Sequence, residues 1–375
     1  MVLYIKGAYG NYNFGDDLLL WCLHNTFQKF HNVDFYFFSE EDYFRKLAPG
    51  VKLINNSNFF SFYLHKRPYM ILYGGGTQFA SFDNDTQAKM NSNILKYLLN
   101  PKLGFVRLRT SMMLTLINRT RHTSAMGIGI GPFSTKNSES SSRKVIRNME
   151  FVGVRDTLSC SYLKAWHCTG WDLYSDLTFL MKDSIANFVY NGHNCDSFDI
   201  GVILRDWKRT TDGGSYMQNI ERLDSIFKRQ RLKCRYIIFS VKDKESIAIS
   251  RRLNRQILVW DPTCWKLADF ITELSCHRLI ITSRYHGAIC ASLFSIPFLS
   301  INIEPKLEMV SELFSMPCWS FPFGERDVED HILDVLEHYD KYRGRVSTTV
   351  EDQSKKAVKM LTDFYRYLER CVKED

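Results

Sequence analysis

Val2-Leu3-Tyr4-Ile5-Lys6-Gly7-Ala8-Tyr9-Gly10-Asn11-Tyr12-Asn13-Phe14-Gly15-Asp16-Asp17 is a short apolar run that enters a glycine-rich loop and leaves it on two aspartates. A run of that length bounded by glycine reads as a buried strand. Beyond the loop, Leu20, Leu23, Phe27 and Phe30 follow at helical spacing, with Asp16 placed to cap the helix that carries them. Strand, bare turn and helix in that order form the unit of a parallel α/β sheet. Glycine lets the backbone turn sharply and approach a ligand, and the following helix start offers unpaired N–H groups. The glycine spacing is not that of the dinucleotide fingerprint. As a plain structural element the loop is a tight turn with a capping aspartate. Two asparagines and two aspartates in so short a loop make a binding role an equal reading.

The same unit recurs. Apolar runs at residues 69–73, 124–130, 150–154, 200–204, 235–240, 278–282 and 298–303 each end in glycine or polar residues and precede helix-like stretches. At 375 residues the chain exceeds one ordinary core and suits two. The polar stretch Asn191-Gly192-His193-Asn194-Cys195-Asp196 interrupts the pattern, which places domains at 1–190 and 198–375. Residues of about 350–371 carry Val358, Leu361, Tyr365 and Leu368 at helical spacing and predict a closing helix. Residues 287–303 lack charged side chains, but Pro297 interrupts them and Arg284, His286 and Glu304 crowd their ends. A membrane span needs about 20 apolar residues, so a buried helix followed by a buried strand is expected.

Apolar residues make up 45% of the chain, enough to build two cores and against extensive disorder. The 49 Lys+Arg against 41 Asp+Glu leave a formal charge of +8 spread along the sequence, which suits an anionic substrate or the vicinity of a membrane. No basic-aromatic module or zinc-finger spacing supports nucleic-acid binding. The ten cysteines show no Cys-x-x-Cys pair and read as reduced thiols. Without the charge order of a signal peptide at the start, a cytoplasmic location is expected, compatible with peripheral association at the inner face of the membrane.

Several strand ends carry chemistry. Gly74-Gly75-Gly76-Thr77-Gln78 and Gly127-Ile128-Gly129-Ile130-Gly131-Pro132 present bare backbone where a sugar or phosphate could enter. Ser283-Arg284-Tyr285-His286-Gly287-Ala288 follows the run Leu279–Thr282 and opens a small-residue helix. A fixed cation and a titratable imidazole two residues apart at a helix start favour a carboxylate or phosphate. The stretch Ile296–Lys306 ends a strand on Glu304, Pro305 and Lys306, while Arg155 and Arg205 follow two other strands. Three strand-end arginines point to an anionic substrate, although each one singly reads as a salt bridge with its neighbouring aspartate.

Taken together, Gly10–Asp17, Gly74–Gly76, Gly127–Pro132, Val152–Asp156, Asp176, Arg205, Ser283–Gly287, Pro297 and Pro305-Lys306 resemble the polysaccharide pyruvyl transferase family, in family order and over about four fifths of the chain. The resemblance implies two Rossmann-like domains facing across a cleft, as in GT-B glycosyltransferases, with a closing C-terminal helix. It further implies transfer of pyruvate from phosphoenolpyruvate to a sugar of a surface polysaccharide or its precursor, as a ketal, with phosphate released. In that scheme the second domain holds phosphoenolpyruvate: Arg284 grips the carboxylate bidentately, and His286 binds the phosphate or acts as general acid. Gly75, Gly76, Arg155, Arg205, Gly287 and Lys306 complete the substrate site. Asn11, Asp16 and Asp17 bind the acceptor from the first domain, one aspartate serving as base. No metal and no cofactor beyond the donor substrate are implied, and the acceptor sugar is compatible with a lipid carrier. Two readings stay open beside this one: a GT-B nucleotide-sugar glycosyltransferase, and a non-catalytic protein that binds anionic glycans.

Overall fold

The computed structural model describes residues 1–39, 41–82, 109, 112, 113, 115–117, 120–190, 197–205, 216–320 and 325–373. The polar stretch 191–196 and Asp206, beside Arg205, lie outside the described residues.

All eight apolar runs are strands of two parallel sheets. The first sheet has the order β3 (Leu53–Ile54), β2 (Asp34–Phe38), β1 (Val2–Lys6), β4 (Met70–Ser81), β5 (His122–Phe133), β6 (Phe151–Val154), β7 (Trp171–Leu173). The second runs β10 (Gln256–Val259), β9 (Cys234–Ile238), β8 (Phe198–Leu204), β11 (His277–Thr282), β12 (Phe298–Ile301), β13 (Cys318–Trp319). Every registered pairing is parallel. In each sheet the order reverses beside the first strand, at β1/β4 and at β8/β11. Those are the points where connections leave toward opposite faces and a crevice opens beyond the carboxyl ends. The molecule is two Rossmann-like domains facing across a cleft, a GT-B-like architecture.

Leu3, Tyr4 and Ile5 of β1 are fully buried, and helix α1 (Phe14–Phe27) lays Leu18, Leu19, Leu20 and Leu23 into the core. Its N-cap is Asn13, one turn earlier than expected, so Asp16 stands in the first turn instead of capping. Phe30 lies beyond the helix but meets Phe27 at 5.6 Å.

The start of α1 also joins the two domains. The Phe14 N–H donates to the Phe239 carbonyl at 2.9 Å. Its buried ring sits 4.8–5.2 Å from Phe239, Phe270 and Trp260. One apolar core therefore runs from the first sheet into the second, and truncating a buried Phe at such a junction costs about 3–5 kcal/mol.

The C-terminal helix, Tyr339–Lys373, returns to the first sheet. Tyr174 donates to Asp363 at 3.0 Å, Tyr367 to Glu150 at 2.7 Å and Ser175 to Gln353 at 2.9 Å. The closing helix is present and Leu368 is buried as expected, but the stripe that meets the sheet is Val346, Val350, Gln353, Ala357, Met360, Phe364, Tyr367 and Cys371, spaced alternately by four and three. Val358 and Tyr365 are 53% and 43% exposed. Two stripes satisfy the same helical spacing. The sheet selects the one whose Met360 fits over Gly153.

Among the described residues eight cysteines are free thiols, whereas Cys276 is disulfide-bonded, against the expectation of reduced thiols throughout. No helix among the described residues is long and apolar enough to cross a membrane. The charge-free segment divides as expected into the buried helix Tyr285–Leu293 and strand β12.

Candidate active site

The carboxyl ends of both sheets meet at a cleft of about 830 Å³. Asn11, Asn13, Gly15 and Asp16 enter it from the loop after β1, and Gly76 and Thr77 from β4. Arg205, Arg284, His286, Glu304 and Lys306 enter it from the strand ends of the second sheet. Helices starting at Phe14, Lys244, Tyr285 and Pro305 begin at this cleft, and the partial positive charge of a helix N-terminus favours anions.

Arg284 is nearly buried. Its Nη1 donates to Asn13 Oδ1 at 2.9 Å and its Nε to the Leu204 carbonyl at 3.4 Å, with Nη2 3.6 Å from Asp243. The fork expected to face a donor carboxylate is thus engaged across the domain junction. Asn13 in turn donates through Nδ2 to Asp16 Oδ2 at 2.5 Å. Burial raises the Asp16 pKa, opposed by Asn13, Lys306, Arg205 and Arg284.

His286 is wedged between the domains. A Cβ on Gly15 would lie 2.3 Å from His286 Nδ1, so this position of α1 tolerates only glycine while the imidazole sits there. His286 Nε2 lies 3.8 Å from Asp176 and has no hydrogen-bond partner among the described residues. Burial pushes the imidazole down to about 3, partly offset by Asp176 and reinforced by Arg155, Lys306 and Arg284. Burial therefore favours the neutral imidazole at this position.

Glu304 is buried and accepts from Lys306 at 3.0 Å and Arg205 at 3.4 Å. Burial would raise its pKa, but those two cations hold it below the usual carboxylate range. Lys306 is itself lowered by burial.

Other expected site residues play different parts. Asp17 turns away from the cleft into the junction, accepting from Tyr43 at 2.7 Å and from Trp260 Nε1 at 2.8 Å, and burial raises it to about 7. Helical geometry explains this, since neighbouring residues point about 100° apart. Gly75 packs against Leu19 and Leu177 with a φ of +69°, outside the cleft lining, whereas Gly76 lines it. Gly287 packs on Thr282 and Ile203 and makes room for the helix against its strand. Arg155 lines the cleft, yet its guanidinium pairs with Asp176 at 2.7 Å, donates to Thr77 at 3.0 Å and covers the Tyr285 ring at 4.1 Å. Asn11 is exposed at the rim and donates to the Ala8 carbonyl.

Asn13, Gly15, Asp176 and Glu304 were not among the expected site residues. Asn13 lies in the quoted loop and Glu304 beside Pro305-Lys306, so position alone could have raised both. The contact that singles out Gly15 crosses between domains and leaves no local signature. Among the described residues, His122, Glu150 and Cys371 bring potential metal donors within 4.8 Å of one another. They lie where β5 and β6 begin, at the opposite end of the sheet from the cleft, with His122 already paired to Glu150 at 2.9 Å.

The architecture is shared widely at low sequence identity. The S. aureus protein MnaA solved with UDP aligns at a TM-score of 0.64 and 10% identity, over 98% of this chain and 96% of that one. The Anabaena protein HepE in complex with UDP and glucose aligns at 0.62 and 11%, over 98% and 99%. The UDP-N-acetylglucosamine 2-epimerase from Rickettsia bellii aligns at 0.61 and 12%, over 100% and 99%. These likenesses establish the fold alone. No curated protein matches the sequence. The family model for polysaccharide pyruvyl transferase matches residues 13–305, from the Asn13 that meets Arg284 to the Pro305 that starts the helix of Lys306. With that match spanning most of the chain and both walls of the cleft, the protein is a member of the polysaccharide pyruvyl transferase family.

Proposed function

We propose that the protein transfers the pyruvyl group of phosphoenolpyruvate to two hydroxyls of a sugar in a surface polysaccharide or its precursor, forming a pyruvate ketal. The observation that carries this reading is the pairing, across one cleft, of Arg205 at a strand end and Arg284 and Lys306 at helix starts with the half-buried Asp16. The donor carries a carboxylate and a phosphate, and the cationic wall offers positive groups for both. As phosphate leaves, its charge is stabilised by groups already in place.

In the balanced reaction the methylene carbon of phosphoenolpyruvate gains a proton and becomes methyl. One sugar hydroxyl adds to the adjacent carbon, and the second displaces phosphate from it. Of the two hydroxyl protons, one is matched by the proton now on the methyl group and the other leaves with phosphate. Asp16 removes the proton from the attacking hydroxyl. A phosphate dianion entering beside His286 counteracts the desolvation that keeps the ring neutral, so His286 acquires a proton with the donor and delivers it to the methylene carbon.

Melting in the presence of phosphoenolpyruvate tests the donor, because a ligand that binds only the folded state at 100 times its Kd adds about 2.7 kcal/mol. Arg284→Lys retains the charge but loses the planar fork, and weakens donor binding about tenfold or more. Stabilisation by UDP-glucose equal to that by phosphoenolpyruvate overturns the proposal in favour of a nucleotide-sugar glycosyltransferase, the reading that HepE and MnaA make worth testing.

A further inference from the structure

Asn13 occupies the N-cap of α1, a position whose side chain ordinarily accepts from the first turn, yet it makes no capping bond. Its amide instead takes Arg284 Nη1 on the carbonyl side at 2.9 Å and gives to Asp16 on the amino side at 2.5 Å. One small side chain therefore touches both the strongest candidate donor-binding cation and the candidate base, and it spans the domain junction to do so.

We infer that Asn13 is a positioning residue that couples occupation of Arg284 by the donor anion to the readiness of Asp16 to accept a proton. The inference rests on the proposed roles of Arg284 and Asp16 in the preceding reading. In this arrangement Asn13 accepts from Arg284 and donates to Asp16, a bond that favours the carboxylate form. An anion that takes Arg284 Nη1 removes Asn13's carbonyl partner, so the amide is free to turn and its grip on Asp16 weakens. The Asn13 hydrogen bond lowers the Asp16 pKa; losing it, with a negative charge newly nearby, makes Asp16 the stronger base. The sugar hydroxyl is then activated only when donor is present, an order that protects the acceptor site from idle chemistry. The other charged or titratable groups acting on Asp16 are Lys306 and Arg205 from the second domain, Tyr9 from the same loop, Asp17 from the next position of α1 and Tyr43 behind it.

Carboxyl-carbon NMR of Asp16 reads the link without requiring turnover. In the free full-length protein, Asn13→Ala shifts the Asp16 titration midpoint upward by about one pH unit, the scale of a hydrogen bond to an ionised carboxylate. Saturating phosphoenolpyruvate raises the midpoint in the wild type and raises it much less in Asn13→Ala. Asn13→Ser keeps a good N-cap residue and reaches only one of the two partners, so it reproduces the shift if the alanine variant is too unstable to titrate. Identical midpoints in wild type and variants, or an undiminished donor-induced shift, overturn the inference and leave Asn13 as a fastener between domains. Failure of the donor reading looks different: phosphoenolpyruvate then produces no shift in the wild type, while the variants still differ from it in the free protein.

Discussion

The two walls of the cleft are built from the same unit, a strand end and a helix start at the point where a doubly wound sheet reverses, yet they carry opposite chemistry. The wall from the second sheet presents Arg205, Arg284 and Lys306 around one buried acid, Glu304. The wall from the first sheet presents amides, Asp16 and one arginine, Arg155, that is already paired with Asp176. Both offer helix N-termini, so the backbone alone would favour anions on either side. The side chains break that symmetry, leaving one wall richer in cations and the other richer in amides, the division on which the proposed placing of donor and acceptor rests. The lesson is that a fold supplies a generic anion site twice and the sequence specialises each copy.

The sharpest way to test this division is to disable one wall at a time. His286→Gln, on the cationic wall, should lower kcat by about 10²–10⁴-fold at saturating donor with donor affinity nearly retained. Asn11→Ala, at the acceptor rim, should change mainly the acceptor KM. Turnover like wild type in His286→Gln with only a raised donor KM would reduce His286 to a phosphate ligand. Gly15→Ala should mimic the turnover loss, because the new Cβ meets the imidazole at 2.3 Å and displaces it.

The next largest effect concerns Asp16 and Asp17, adjacent residues of which one faces the cleft and the other the domain junction. Asp17 titrates at about 7 in the folded protein, against an ordinary value of 3.8. The folded state therefore binds its proton more tightly than the unfolded chain does. The associated stability is fully present below about pH 4 and is lost progressively as pH rises to about 7. Asp17→Asn, whose amide can accept from Trp260 and donate to the Tyr43 oxygen but cannot ionise, should remove that slope. His286 works in the opposite sense, since its folded value of about 3 lies below the ordinary 6.5 and its contribution is lost as pH falls through that window. Denaturant midpoints between pH 4 and 7 for wild type and Asp17→Asn separate the two, and parallel curves would refute the burial of an ionisable Asp17.

The smallest expected effect is on charge balance within the cationic wall. Glu304→Gln removes the acid between Lys306 and Arg205, so phosphoenolpyruvate affinity should rise severalfold, consistent with one charge at a partly screened site, while Tm falls. A loss of affinity in calorimetric titration would instead mean that Glu304 serves to aim the two cations.

Much of the fold was legible because a buried parallel strand must be a short apolar run and must end where the backbone turns. The strands that escaped notice, such as Asp34–Phe38, Gln256–Val259 and the two-residue Cys318-Trp319, are short, sit toward sheet edges or lack a glycine after them. Arg284, His286, Lys306 and Asp16 were legible as a set, since charged residues directly after apolar runs have few other places to go than the sheet's carboxyl edge. Glu304 was visible beside Lys306 but gained its role only through Arg205, a residue 99 positions away.

By itself the sequence determined the eight central strands, the helices that start beyond them and the family, because local periodicity and strand-end composition are properties of neighbouring residues. Only the tertiary structure decided that Asp17 belongs to the junction and Asp16 to the cleft, that Gly15 makes room for a histidine 271 residues later, and that Arg284 is held by Asn13. Those outcomes depend on how one domain is seated against the other. That seating is set by the buried contacts of Phe14, Trp260 and their neighbours, and no local pattern in either segment encodes it.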